Sequence, residues 1–329
     1  MLTRKTFLKC AGSAAALAIA QPVLAQTGGR RLRVANFYAA DHAMNRALRD
    51  VFVPRLVEYS KGALNASIHD NSSLGSERAL TEGVRLGTIE MGITGGLLAA
   101  SLPKVGLLEL PFVFRDFAHA WRTFDGPVGQ ELAGEFEKAR IKKLAWVGNG
   151  FRAFTNSVRP INSVADCRGI RMRMPENRIY IETGRALGFN VVTMPFGEMF
   201  TALSQRVVDG QDNPPPTVLA SKLYEVQEHL AITNHIFSYG GISVNKRLFD
   251  SLPADQKQAL QRAATETAAV QRQMIEKDSA EVVGKLQGLG MSVTRPKLEE
   301  FQRATEAVSA ELAGKVDGGP ELLRRIAAG

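Results

Sequence analysis

Two hydrophobic periods alternate along this chain. Over residues 42–59, Ala43, Ala47, Val51 and Leu56 recur near helical spacing, and Gly62 stops the run. Short apolar stretches at 32–36, 64–69 and 89–94 read instead as strands. Between the last two, a turn-rich segment ends at Ser76, which can cap a helix that has Glu77 in its first turn and reaches about residue 86. This β-α-β-α-β order predicts a parallel sheet covered by helices. The alternation restarts near residue 150. A strand at 141–148 meets a turn signal at Asn149-Gly150 and resumes at Arg152, and a strand at 170–174 ends at Pro175. A helix over 180–187 and a strand at 191–194 follow, with further helices at 198–205 and within 215–226.

Beyond a strand at 230–233 and an apolar stretch at 236–245, residues 254–289 form a helical pattern without proline. Such a helix spans roughly 50 Å, more than one small domain needs, so it is expected to cross two. The fold class is therefore α/β with two domains. Residues 26–149 plus about 236–275 form the first, and 150–235 plus about 276–329 the second.

The first 25 residues are different material. Arg4, Lys5 and Lys9 precede an apolar run, and Val23-Leu24-Ala25 offers a cleavage site, which predicts a signal peptide over 1–25. The run is too short for a permanent membrane helix. Lys5 stands where a twin-arginine signal has its second arginine, which leaves both export routes open. The chain carries net charge +8; the segment accounts for three basic groups and no acidic one, leaving about +5 spread along the rest. That suits an anionic ligand or acidic surface and is no nucleic-acid footprint. Only Cys167 would remain, which excludes an intrachain disulfide.

Candidate chemistry concentrates between residues 148 and 235. Arg171 and Arg173 lie two apart on one strand and so share a face, with Met172 and Met174 opposite. A guanidinium fork fits a carboxylate with two parallel hydrogen bonds, although spacing alone equally describes a solvated surface pair. Arg152 follows Gly148-Asn149-Gly150-Phe151, and a polar loop, DGQDNPPP (209–216), places Asp212 and Asn213 before three prolines. The five histidines form no metal-ligand spacing, and no nucleophile elbow, phosphate loop or dinucleotide fingerprint is present. No metal, cofactor or catalytic group is expected.

Taken together, GIRMRMP (169–175), the segments 194–203, 208–214 and 224–235, SSLGSER (72–78) and NGFR (149–152) resemble the DctP-type solute-binding proteins of TRAP transporters. The resemblance spans essentially the whole mature chain. It implies a periplasmic-binding-protein fold with a hinge, a ligand-closed cleft, and delivery of an organic acid to small and large TRAP membrane subunits. It places the ligand carboxylate on Arg173, with Arg152 and Asn213 at the ligand and Phe196 on its apolar side. Glu77 and Asp212 are further binding candidates. C4-dicarboxylates, 2-oxo acids, sugar acids and sialic-acid-like compounds all carry the group that Arg173 would read, with sugar acids preferred because Glu77, Asp212 and Asn213 can meet hydroxyls. An exported enzyme and a sensor-kinase receptor are the alternatives.

Overall fold

A computed structural model describes residues 29–329; the expected signal peptide lies outside the described residues. Eleven strands are described: β1 (Arg30–Ala35), β2 (Leu64–His69), β3 (Met91–Gly95), β4 (Ile141–Phe151), β5 (Ala153–Asn156), β6 (Arg171–Met174), β7 (Asn190–Thr193), β8 (Gly210–Asn213), β9 (His229–Ala231), β10 (Phe237–Asn245) and β11 (Ser292–Thr294). They form two sheets, ordered β2-β1-β3-β10-β4 and β11-β9-β5-β8-β6-β7. The expected parallel core is present in β2-β1-β3, and β10 inserts antiparallel between β3 and β4.

Helices form where the apolar spacing demands them. The helix Glu77–Leu86 starts at Ser76, whose hydroxyl accepts from the Ala79 amide at 3.3 Å, and stops at Gly87 in the left-handed region. The expected helix over 42–59 is broken into Ala43–Ala47 and Val53–Tyr59 by a π-helical turn, Leu48–Phe52, just ahead of Pro54. Proline removes a backbone donor, and the wider turn accommodates the loss.

Two expectations fail in an informative way. Asn149-Gly150 is no chain reversal: β4 runs through it, and Gly150, at φ 103°, sits beside a register shift against β10. Likewise DGQDN is no loop, because Gly210–Asn213 is an interior strand between β5 and β6. Its polar side chains are tolerated in the sheet because each finds a buried partner. Gln211 donates to Thr155 Oγ1 at 2.8 Å, Asn213 to Gln211 Oε1 at 2.6 Å, and Asp212 accepts from Arg152.

Three segments cross between the sheets: β4 into β5, β9 into β10, and the helix Ala254–Gly288. That helix buries Leu260, Ala263, Ala264 and Ala268 against the first sheet's core, and Val282 and Leu286 in a cluster with Leu203, Val218 and Leu230. At the crossing, Gln271 clasps the Gly148 backbone, accepting from its amide at 3.1 Å and donating to its carbonyl at 2.6 Å. The last helix is Gly319–Ala328. It packs on Phe117–Asp125, where His119 Nε2 meets the Ile326 carbonyl at 2.7 Å.

Candidate functional site

A cavity lies between the sheets, and both sheets line it. From the first come Thr94 and Gly95 on β3 and Ser238, Tyr239 and Gly240 on β10; from the second come Arg173 on β6 and Asn213 on β8. Arg152 lies at the crossing between β4 and β5.

Strand pleating sorts the two arginines of β6. Both share a face, but Arg171 is exposed and pairs with Asp209 at 2.6 Å, whereas Arg173 is 3% exposed and lines the cavity. Met172 and Met174 enter the core opposite. The Arg173 fork is steadied from one side: Nε and Nη2 both donate to the Met194 carbonyl, at 3.1 and 2.7 Å. Among the described residues, no carboxylate lies within ion-pair distance of it. Burial pulls its pKa down to about 10, so the guanidinium stays charged at neutral pH.

Arg152 is different. Its Nε and Nη2 grip Asp212 at 2.6 and 3.0 Å, and Nη2 also donates to the Asp212 carbonyl. The guanidinium rests 4.7 Å from the centre of the Tyr180 ring. Burial opposes ionisation of both partners, yet their mutual attraction wins. Arg152 moves above its ordinary range, and Asp212 falls well below the usual carboxylate range with added help from His235. His235 itself is held neutral by burial, stacked on Phe154 at 4.1 Å with its Nε2 3.4 Å from Asp212.

Of the six residues singled out in the sequence, Arg173, Arg152, Asn213, Phe196 and Glu77 line this one cavity. Asp212 does not. It is fully buried behind Arg152, and its oxygens accept from that guanidinium and hold it in place. Phe196 packs on Phe37 at 5.2 Å, and together with Tyr38 they form the cavity's aromatic side.

A second group lines the cavity without any motif to mark it in the sequence. Glu109, 2% exposed, accepts from Tyr180 Oη at 2.8 Å and from Asn177 Nδ2 at 2.9 Å, and all three line the cavity. Its signal was a lone acidic residue inside the apolar stretch 107–114. Burial drives its carboxyl up to about 8 and that of half-buried Glu77 up to about 7, against the pull of the arginines. Gly96 leaves room for Glu109: a Cβ there would stand 2.3 Å from Oε2 and 2.5 Å from Oε1. Gly96→Ala is therefore expected to push this carboxyl aside and lower stability by about 1–3 kcal/mol, read as a fall in denaturation midpoint at unchanged m-value.

This arrangement — two sheets, three crossings, and a buried fork in the cavity between them — defines a receptor for a small anion. The chain belongs to family 7 of the bacterial extracellular solute-binding proteins, the DctP family, which it matches over residues 34–315. It is 37% identical over 239 residues to a 2,3-diketo-L-gulonate-binding periplasmic protein of Escherichia coli (strain K12), covering 72% of this chain and 73% of that protein. A TRAP periplasmic solute-binding protein from a Polaromonas species, solved with bound D-erythronate, has TM-score 0.87 and 32% identity, covering 91% of this chain and 98% of that one. The sugar-acid-binding protein of Advenella mimigardefordensis, solved with galactonate, has TM-score 0.87 and 29% identity, covering 91% and 97%. Among the described residues, no helix is long and apolar enough to cross a membrane, and no group of acidic, histidine and cysteine side chains could hold a metal ion.

Proposed function

We propose that this protein captures a sugar acid in the periplasm and passes it to small and large TRAP membrane subunits, binding without chemical change. The observation that carries the reading is Arg173, a buried guanidinium in the cavity whose fork is held by a backbone carbonyl and not by a resident carboxylate. A ligand carboxylate supplies the missing counter-charge and takes charge-assisted bonds that contribute about 1.5–3 kcal/mol each. Asn213 and Arg152 add donors, and Phe196 packs on the carbon chain. Within the open set of acids, a sugar acid is favoured because the Glu77 and Glu109 carboxyls and the Asn213 amide can hydrogen-bond hydroxyls along the ligand, while among the described residues no cation besides Arg152 and Arg173 lines the cavity for a second ligand carboxylate. The D-erythronate and galactonate bound to the similar proteins carry both features.

The two lobes are proposed to divide at the crossings, with residues 26–149 and about 236–275 on one side and most of the remainder on the other. A thermal-shift screen against aldonates, uronates, 2-oxo acids and C4-dicarboxylates tests the assignment. A sugar acid at 100 times its Kd is expected to stabilise the protein by about 2.7 kcal/mol. A screen in which dicarboxylates shift the melting point and sugar acids do not would reverse the ligand class. Turnover of the bound acid would move the protein to the exported-enzyme alternative.

A further inference from the structure

The cavity holds more negative charge than a receptor for anions needs. Arg152 and Arg173 face it together with Glu77 and Glu109, and Asp212 stands directly behind Arg152. Two guanidiniums thus meet three carboxyls before any ligand arrives. A bound acid adds a fourth. Asp212 is committed to Arg152 by two hydrogen bonds. Glu109 has no cation within ion-pair distance among the described residues; its oxygens rest on the neutral Tyr180 hydroxyl and Asn177 amide. Glu77 is likewise without an ion pair, although it opens a helix whose N-terminus favours its charged form.

We propose that this receptor takes up a proton together with its acid: closure on a ligand carboxylate protonates the Glu77–Glu109 carboxyl set, so that the proton is a co-bound cation of the site. This rests on the receptor reading above. In an open cleft both carboxyls face water and stay ionised at neutral pH. Enclosed, they share a poorly solvated space with each other and with the ligand's charge, and protonation is the remaining way to balance it.

The surroundings of both groups agree. Glu109 is faced by Tyr180, Tyr239, Tyr38, Arg152 and Glu77; the three tyrosines are all driven up by burial and stay neutral. Glu77 is faced by Arg173, Arg152 and Arg78, which favour its ionised form, and by Glu176 and Glu109, which oppose it. Burial is the largest influence on each, placing Glu77 at about 7 and Glu109 at about 8, where a further negative charge in the cavity tips the pair toward holding one proton between them. A protonated carboxyl also gains a donor, so that one group can accept from and donate to a ligand hydroxyl.

The test is calorimetric titration of the full-length mature protein with D-erythronate or galactonate, whichever raises the melting point more. It is run at about pH 7.5 in buffers of different ionisation enthalpy. The expected slope corresponds to close to one proton taken up per acid bound, with affinity falling by up to about tenfold per pH unit through the range in which that uptake occurs and levelling off once the pH exceeds the bound-state value of the carboxyls. Glu109→Gln and Glu77→Gln are expected to reduce the uptake and flatten the fall of affinity with pH, whatever affinity each variant retains. Should Glu109→Gln fail to fold, Glu77→Gln and the native buffer series decide. Binding whose enthalpy is the same in every buffer overturns the proposal and leaves the receptor reading intact. Uptake that neither variant reduces overturns the assignment to these two carboxyls. If neither acid binds at any pH, it is the sugar-acid reading that fails.

Discussion

Arg173→Ala is expected to weaken sugar-acid binding by a factor of about 10² to 10⁴. The side chain is buried, lines the cavity, and has its fork anchored by two bonds to the Met194 carbonyl. Its remaining donors meet a ligand carboxylate in fixed orientation, and two charge-assisted bonds together contribute about 3–6 kcal/mol. Arg173→Lys separates charge from geometry. The ammonium keeps the attraction but loses the planar fork and the Met194 anchor, so a loss of about 10 to 100-fold is expected. Calorimetric titration gives both numbers, and the melting point of each ligand-free variant shows whether the fold survives. Native affinity in Arg173→Lys would mean that the fork is not what reads the carboxylate.

Much of this was legible in the chain because it rests on local periodicity. The parallel order of β1, β2 and β3 follows from alternating strand and helix patterns, and the crossing helix from 35 residues without proline. The shared face of Arg171 and Arg173 follows from the strand's period of two. What spacing could not assign was which arginine would be buried. That is decided by long-range packing: Asp209 draws Arg171 to the surface, while β7 and the Met194 carbonyl enclose Arg173. The strand Gly210–Asn213 was hidden for the same reason. Gln, Asp and Asn are poor strand formers, and only partners from distant segments — Thr155 and Arg152 among them — make the interior of a sheet habitable for them. Glu109, Asn177 and Tyr180 were invisible as a group because 68 and 71 positions separate the first from the other two.

Asp212→Asn is expected to cost about 3–5 kcal/mol of stability, the second large effect, because it leaves the Arg152 guanidinium buried without its counter-charge. Replacing both partners together, as in Arg152→Met with Asp212→Asn, is expected to recover part of that loss, since the second change removes the orphaned charge. Acid provides an independent check with a definite sign. The folded-state carboxyl of Asp212 lies well below its unfolded value of about 3.9, so the unfolded chain binds the proton more readily. The pair's contribution is complete above about pH 4 and is lost as pH falls below that toward the folded value. Urea denaturation at about pH 7 and about pH 3 should therefore show the native protein losing more stability than Asp212→Asn, which has already forfeited this term. Equal losses in the two proteins would show that the Arg152–Asp212 pair contributes no net stability, and that the barrier to acid unfolding lies elsewhere in the fold.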